Sequence, residues 1–157
     1  MKKQSKDDLY YESCYNQLKD HIVKKIEVVE SSRLGSMIVI LEWKDKAKEY
    51  SFPEKIVINT RLKMEKRLYC LAHEYGHFLQ RNSNKKTPLY EINRINKFDE
   101  DISVKKNRDK LEIFRFEIGA WDRAFELLKK LKIIHNFESF VKIRNECLMS
   151  YQKVLWG

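Results

Sequence analysis

Leu68-Tyr69-Cys70-Leu71-Ala72-His73-Glu74-Tyr75-Gly76-His77-Phe78-Leu79 carries H-E-x-x-H inside a run with helical apolar periodicity. An α-helix turns once in about 3.6 residues, so His73 and His77 project side by side and can bind one metal ion. Glu74 sits between them, close to any water that the metal binds. The spacing therefore offers two ligands and a base. At about 100° per residue, Met64, Leu68, Leu71, Ala72, Tyr75, Phe78 and Leu79 gather on one broad arc suited to a core, and His73, Glu74 and His77 fall off it. A lone His in an apolar helix is more often a core residue bonded to a neighbour. Two His and a Glu sharing the other face point to zinc.

Two histidines rarely complete such a site, because a catalytic zinc usually has three protein ligands and one open position. The extended form H-E-x-x-H-x-x-G-x-x-H is absent: Gln80 stands where its Gly would be, and Ser83 where its third His would be. A carboxylate from a downstream helix is the remaining usual solution. Between Arg108 and Lys132 helical periodicity is strong, with Leu111, Phe114, Ile118, Trp121, Phe125 and Leu128 as the main apolar stripe. Beside it, Ile113, Glu117, Ala120, Ala124 and Leu131 form a second stripe whose only charged member is Glu117. A carboxylate buried there costs several kcal/mol without a partner, and a metal ion is such a partner. The small Ala120 would let two helices approach closely. Glu112, Glu91, Asp99, Asp101 and His135 are the other candidates, although Glu112 has Arg115 and Arg123 near its own face.

The 157 residues suit one domain, 1–157, large enough for a core without disulfides. Cys14, Cys70 and Cys147 are odd in number and widely separated, which implies neither a disulfide framework nor a cysteine zinc site and fits a reducing cytoplasm. Cys70, one turn before His73, reads as a small buried thiol. The N-terminus has no apolar core of a signal peptide, and the longest apolar run, Met37 to Leu41, is far too short to span a bilayer. The net charge of +9 would suit nucleic acid or an acidic partner, but Lys and Arg are interspersed with Asp and Glu and no nucleic-acid-binding module is evident.

In chain order, Ser5 and Asp8 start an amphipathic helix through Tyr11, Cys14, Tyr15, Leu18 and Ile22. Ile26–Val29, Met37–Trp43, and Tyr50–Phe52 with Ile56–Ile58 read as a meander of about three strands, with Pro53 at an edge or a bulge. The motif helix runs from about Leu62 to Gln80, residues 83–107 form a long connection, and a last helix covers Phe137 to Leu155. The expected class is α+β: a small twisted sheet packed on the active helix, with further helices on either side.

Ile56-Val57-Ile58-Asn59, Lys66-Arg67-Leu68, Leu71-Ala72-His73-Glu74-Tyr75-Gly76-His77 and then Glu117 with Ala120 resemble the ImmA/IrrE family of small metallopeptidases. The resemblance covers roughly Ile56 to Leu128. It implies a minimal zincin-like fold, with His73, His77 and Glu117 as ligands to Zn2+ and Glu74 as the catalytic base. It also implies a cytoplasmic hydrolase whose substrate is a specific protein, such as a helix-turn-helix repressor of a mobile element. The E-I-G-A-W-D-R-A-F stretch departs from the family pattern in having Gly119 and Trp121 where ordinary helix formers are expected.

The chemistry that follows is metal-assisted peptide hydrolysis, with Glu74 taking a proton from water and returning it to the leaving amine. Tyr90 and His135 are the candidates for a second group facing the oxyanion. The rival reading is a zincin-fold binding protein, an anti-repressor or toxin-like partner that sequesters a regulator without cutting it. Glu74 favours the enzyme, because a structural zinc site needs no base between its histidines.

Overall fold

The computed structural model describes residues 5–33, 39–44, 52–83, 107–133 and 136–157, which form a mixed, mostly helical α+β structure. Helix α1 spans Lys6–Ile22, followed by strands β1 (Glu27–Ser31), β2 (Val39–Lys44) and β3 (Phe52–Asn59). Helices α2 (Met64–Ser83), α3 (Asn107–Lys130) and α4 (Phe137–Trp156) complete it. Ser5 and Asp8 form the expected reciprocal cap: Ser5 Oγ accepts the Asp8 N–H at 3.1 Å, and Asp8 Oδ2 faces the Ser5 N–H at 3.4 Å. Asn136 caps α4 by accepting the Ser139 N–H at 3.1 Å. Helix α3 ends as Lys132 turns into the left-handed region (φ 56°), which lets the Ile133 N–H reach the Leu128 carbonyl at 2.9 Å.

The three strands are present, but they do not make a meander. Their order is β1-β3-β2, with β3 parallel to β1 and antiparallel to β2. The reason lies in the consecutive apolar residues of β3. Ile56, Val57 and Ile58 are all buried, so this strand needs cover on both faces and pairing on both edges. Strand β1, with Glu27 and Glu30 exposed, suits an edge. Pro53 lies in the central strand, but the pairing with β1 starts only at Lys55, and the β2 register shifts between Glu42 and Trp43 opposite it. Its missing N–H therefore breaks no ladder bond to β1.

Helix α2 is the hub, packing against α1, α3, α4, β2 and β3. Leu68, Leu71, Ala72 and Tyr75 are buried as the wheel expects, while Met64, Phe78 and Leu79 pack at the margin. The opposite side of the helix is buried as well, because α3 covers it. On α3 both stripes reach the core. Ile113, Glu117, Ala120 and Ala124 of one stripe are buried, and so are Trp121 and Leu128 of the other, whose first member Leu111 is 49% exposed. The stripe with Glu117 faces α2.

The turn from β3 into α2 is fixed by Asn59, whose side chain accepts the Arg61 N–H at 2.9 Å and whose carbonyl accepts the Leu62 N–H at 3.3 Å. Arg67, just ahead of the motif, donates Nε–H to the Leu62 carbonyl at 2.8 Å and so ties the first turn of α2 to the incoming loop. Among the described residues, no helix is long and apolar enough to cross a membrane.

Candidate metal centre

Close helix packing builds this centre. A Cβ added at Gly76 would lie 2.2 Å from the Ala120 carbonyl oxygen, so the α2 and α3 backbones touch at the level of the motif. Glycine at 76 and alanine at 120 are what permit that approach. It brings Glu117, one turn before Ala120, directly over His73 and His77.

His73 Nε2 and His77 Nε2 are 3.2 Å apart, and Glu117 Oε2 lies 3.2 Å from the first and 3.4 Å from the second. The three residues are 6%, 7% and 2% exposed. One atom from each falls within 4.8 Å of the others, a group that could hold a metal ion. Each ring is also clamped by α3: Trp121 stacks on His73 (centroids 4.4 Å, planes at 24°), and Phe116 stacks on His77 (4.9 Å, 19°). Trp121 therefore has a definite place in the site.

The donor chemistry fits a cation. His73 Nδ1 is buried without a hydrogen-bond partner among the described residues, and Glu117 Oε2 is buried against the two imidazole nitrogens. An ionised carboxylate so placed is costly unless positive charge is supplied. Burial disfavours the charged form of Glu117, yet the positive charge available at His77 outweighs it and holds the carboxyl well below the usual range. Burial, together with the neighbouring His77, pushes His73 down. On His77 burial acts in the same downward sense, but the Glu117 carboxylate overcomes it and raises the ring from 6.5 to about 9.

That balance has a pH signature. In metal-stripped protein the compensating positive charge is a proton on His77, whose stabilising effect is full below its ordinary value of 6.5 and is lost as pH rises through about 9. Chelated protein should therefore lose on the order of 3 kcal/mol of unfolding free energy across that window. Glu117→Gln should flatten the slope. Metal-loaded protein should show no such loss, because ligation requires neutral imidazole. Urea titrations at a series of pH values check this, and a flat profile for chelated wild type would rule it out.

Glu74 is placed differently from the three. Its Oε1 lies 3.9 Å from His73 Nε2, with the side chain 16% exposed, at the border of the cluster and outside it. Glu112 is half-buried and does not join the group. Glu91, Asp99, Asp101, His135 and Tyr90 lie outside the described residues. Asp122 is exposed and faces Arg144, its Oδ1 3.5 Å from Nη2, so it does not orient the histidines. Cys70 is buried and engages the Cys147 thiol, which together with burial pushes the Cys70 thiol up; it stays out of the cluster.

One participant escaped the sequence reading. Gln80 Oε1 is 3.0 Å from His77 Nδ1, on the side of the ring away from the cluster. The available signal was spacing: a polar residue three places after a ligand on the same helix lies over the same face. Searches against protein-family models, curated proteins and solved structures give no match to this chain, so the chemistry of the centre is read from its own geometry.

Proposed function

We propose that this protein is a zinc-dependent metallopeptidase with a minimal zincin-like fold, acting in the cytoplasm on a specific protein such as a helix-turn-helix repressor. The observation that carries this reading is the position of Glu74, a partly exposed carboxylate beside the His73–His77–Glu117 group but not part of it. Two imidazoles and a carboxylate are a donor set of catalytic zinc sites. The same set also serves iron(II) oxygenases, which have no need of an adjoining base. The resemblance to ImmA/IrrE metallopeptidases over roughly Ile56 to Leu128 supports the peptidase assignment.

Zinc at this centre would supply the Lewis acidity that polarises a peptide carbonyl and makes water acidic enough to lose a proton near neutral pH. His73, His77 and Glu117 would hold the ion from one side, fixed by the rings of Trp121 and Phe116. Glu74 takes the proton from the attacking water and passes it to the leaving amine, and its partial exposure keeps it in reach of both.

The test pairs wild-type protein with Glu74→Gln. The substitution keeps the size of the side chain and removes the base, so zinc content should be unchanged while cleavage of a cognate regulator falls by at least about 10²-fold. Association and fragment formation are followed together. If both proteins bind the regulator equally and neither cuts it, the sequestering reading replaces the peptidase.

A further inference from the structure

The contacts of Gln80 form a relay from the backbone of α3 to the metal-facing atom of His77. The Gln80 amide Nε2 lies 2.8 Å from the Phe116 carbonyl oxygen, and its Oε1 lies 3.0 Å from His77 Nδ1. A main-chain carbonyl only accepts, so it fixes which end of the amide faces it: Nε2–H donates to Phe116, and Oε1 is turned to the ring. An amide oxygen also only accepts, so Nδ1 of His77 must carry its proton. That leaves Nε2 of His77, 3.2 Å from His73 Nε2 and 3.4 Å from Glu117 Oε2, as the atom with a lone pair free for a metal.

Gly119 is the second half of the device. A Cβ built there would lie 2.6 Å from Gln80 Nε2, so a side chain at 119 would occupy the space that the amide uses. Helix α3 therefore carries glycine in its interior, at a cost in helix propensity, where it leaves room for Gln80. His73 has no equivalent: its Nδ1 lacks a partner among the described residues, and it is held by stacking on Trp121. The two ligands are oriented by different means.

We infer that Gln80 is a positioning residue for the metal centre: it locks His77 with Nδ1 protonated and Nε2 directed at the ion, and Gly119 exists to admit it. This rests on the metal reading above. Hydrogen bonds behind a ligating histidine typically change metal affinity by about 10- to 100-fold.

The experiment measures Zn2+ affinity by chelator competition, and thermal unfolding of the chelated protein, for wild type, His77→Ala, Gln80→Leu, Gln80→Glu and Gly119→Ala. Gln80→Leu removes the contacts to His77 and to the Phe116 carbonyl and should weaken Zn2+ binding by about 10- to 100-fold. Gln80→Glu keeps an acceptor for Nδ1–H but loses the donor to the Phe116 carbonyl, and it should bind Zn2+ more tightly than Gln80→Leu. Gly119→Ala should weaken Zn2+ binding as Gln80→Leu does, while its chelated form melts no lower than wild type, because the displaced group is the end of a flexible side chain. A purely structural Gln80 would instead lower the melting temperature of the chelated Leu variant and leave its Zn2+ affinity alone, which would overturn the proposal. Wild type that binds Zn2+ no better than His77→Ala would overturn the metal reading itself, an outcome distinct from the first.

Discussion

Glu117→Gln should reduce zinc affinity by about 10²- to 10³-fold, as should His73→Ala and His77→Ala, whereas Glu112→Gln should leave it unchanged. The magnitude comes from sharing the roughly 10–16 kcal/mol of a tightly bound structural zinc among four ligands, about 2.5–4 kcal/mol each. The distinction between the two glutamates comes from their surroundings. Glu117 is buried with its oxygen 3.2 and 3.4 Å from the two ring nitrogens, while Glu112 is half-buried and outside the group. Glu117→Gln retains the shape of the side chain and removes the charge, so the chelated variant should stay folded. Metal analysis after gel filtration and chelator competition measure the effect. Full zinc in Glu117→Gln, or its loss in Glu112→Gln, would mean that α3 contributes a different ligand.

The second large effect is expected at Gly76. In most helices Gly→Ala gains up to about 1 kcal/mol from propensity. Here the new Cβ would meet the Ala120 oxygen at 2.2 Å, its carbonyl carbon at 2.9 Å and its Cα at 3.1 Å. All three are backbone atoms, so no rotamer change relieves the clash and the helices must separate. Overpacking of this kind costs about 1–3 kcal/mol, which outweighs the propensity gain. Glu117 rides on α3 and the histidines on α2, so separation also stretches the ligand set beyond the roughly 2.0–2.2 Å bonds that zinc makes to nitrogen and oxygen. Gly76→Ala should therefore melt lower than wild type and bind zinc at least about tenfold more weakly. Gly119→Ala is the control for the loss of stability, since its added methyl meets the tip of Gln80 rather than backbone. A Gly76→Ala protein more stable than wild type would show that the helices do not pack in contact here.

The sequence alone determined that His73, Glu74 and His77 share one helix and that Glu117 is the odd charge in an apolar stripe, because both are local facts of helical spacing. The Ser5–Asp8 cap and the start of α4 after Asn136 were legible for the same reason. Strand order was not, since it depends on which strand needs both edges covered, and that is settled by competition among all three. Nor was the extent of cover on α3: a wheel ranks its stripes by apolar residues, yet Trp121 and Leu128 of one and Glu117, Ala120 and Ala124 of the other are all buried. Contact between the Gly76 and Ala120 backbones draws the face with the small residues and the carboxylate inward as well. Gln80, Gly119 and Trp121 acquire their places only through that contact, because each acts across the α2–α3 interface. Spacing along one helix fixes which side chains can share a metal, and the distance between two helices decides whether the third ligand and its supports arrive.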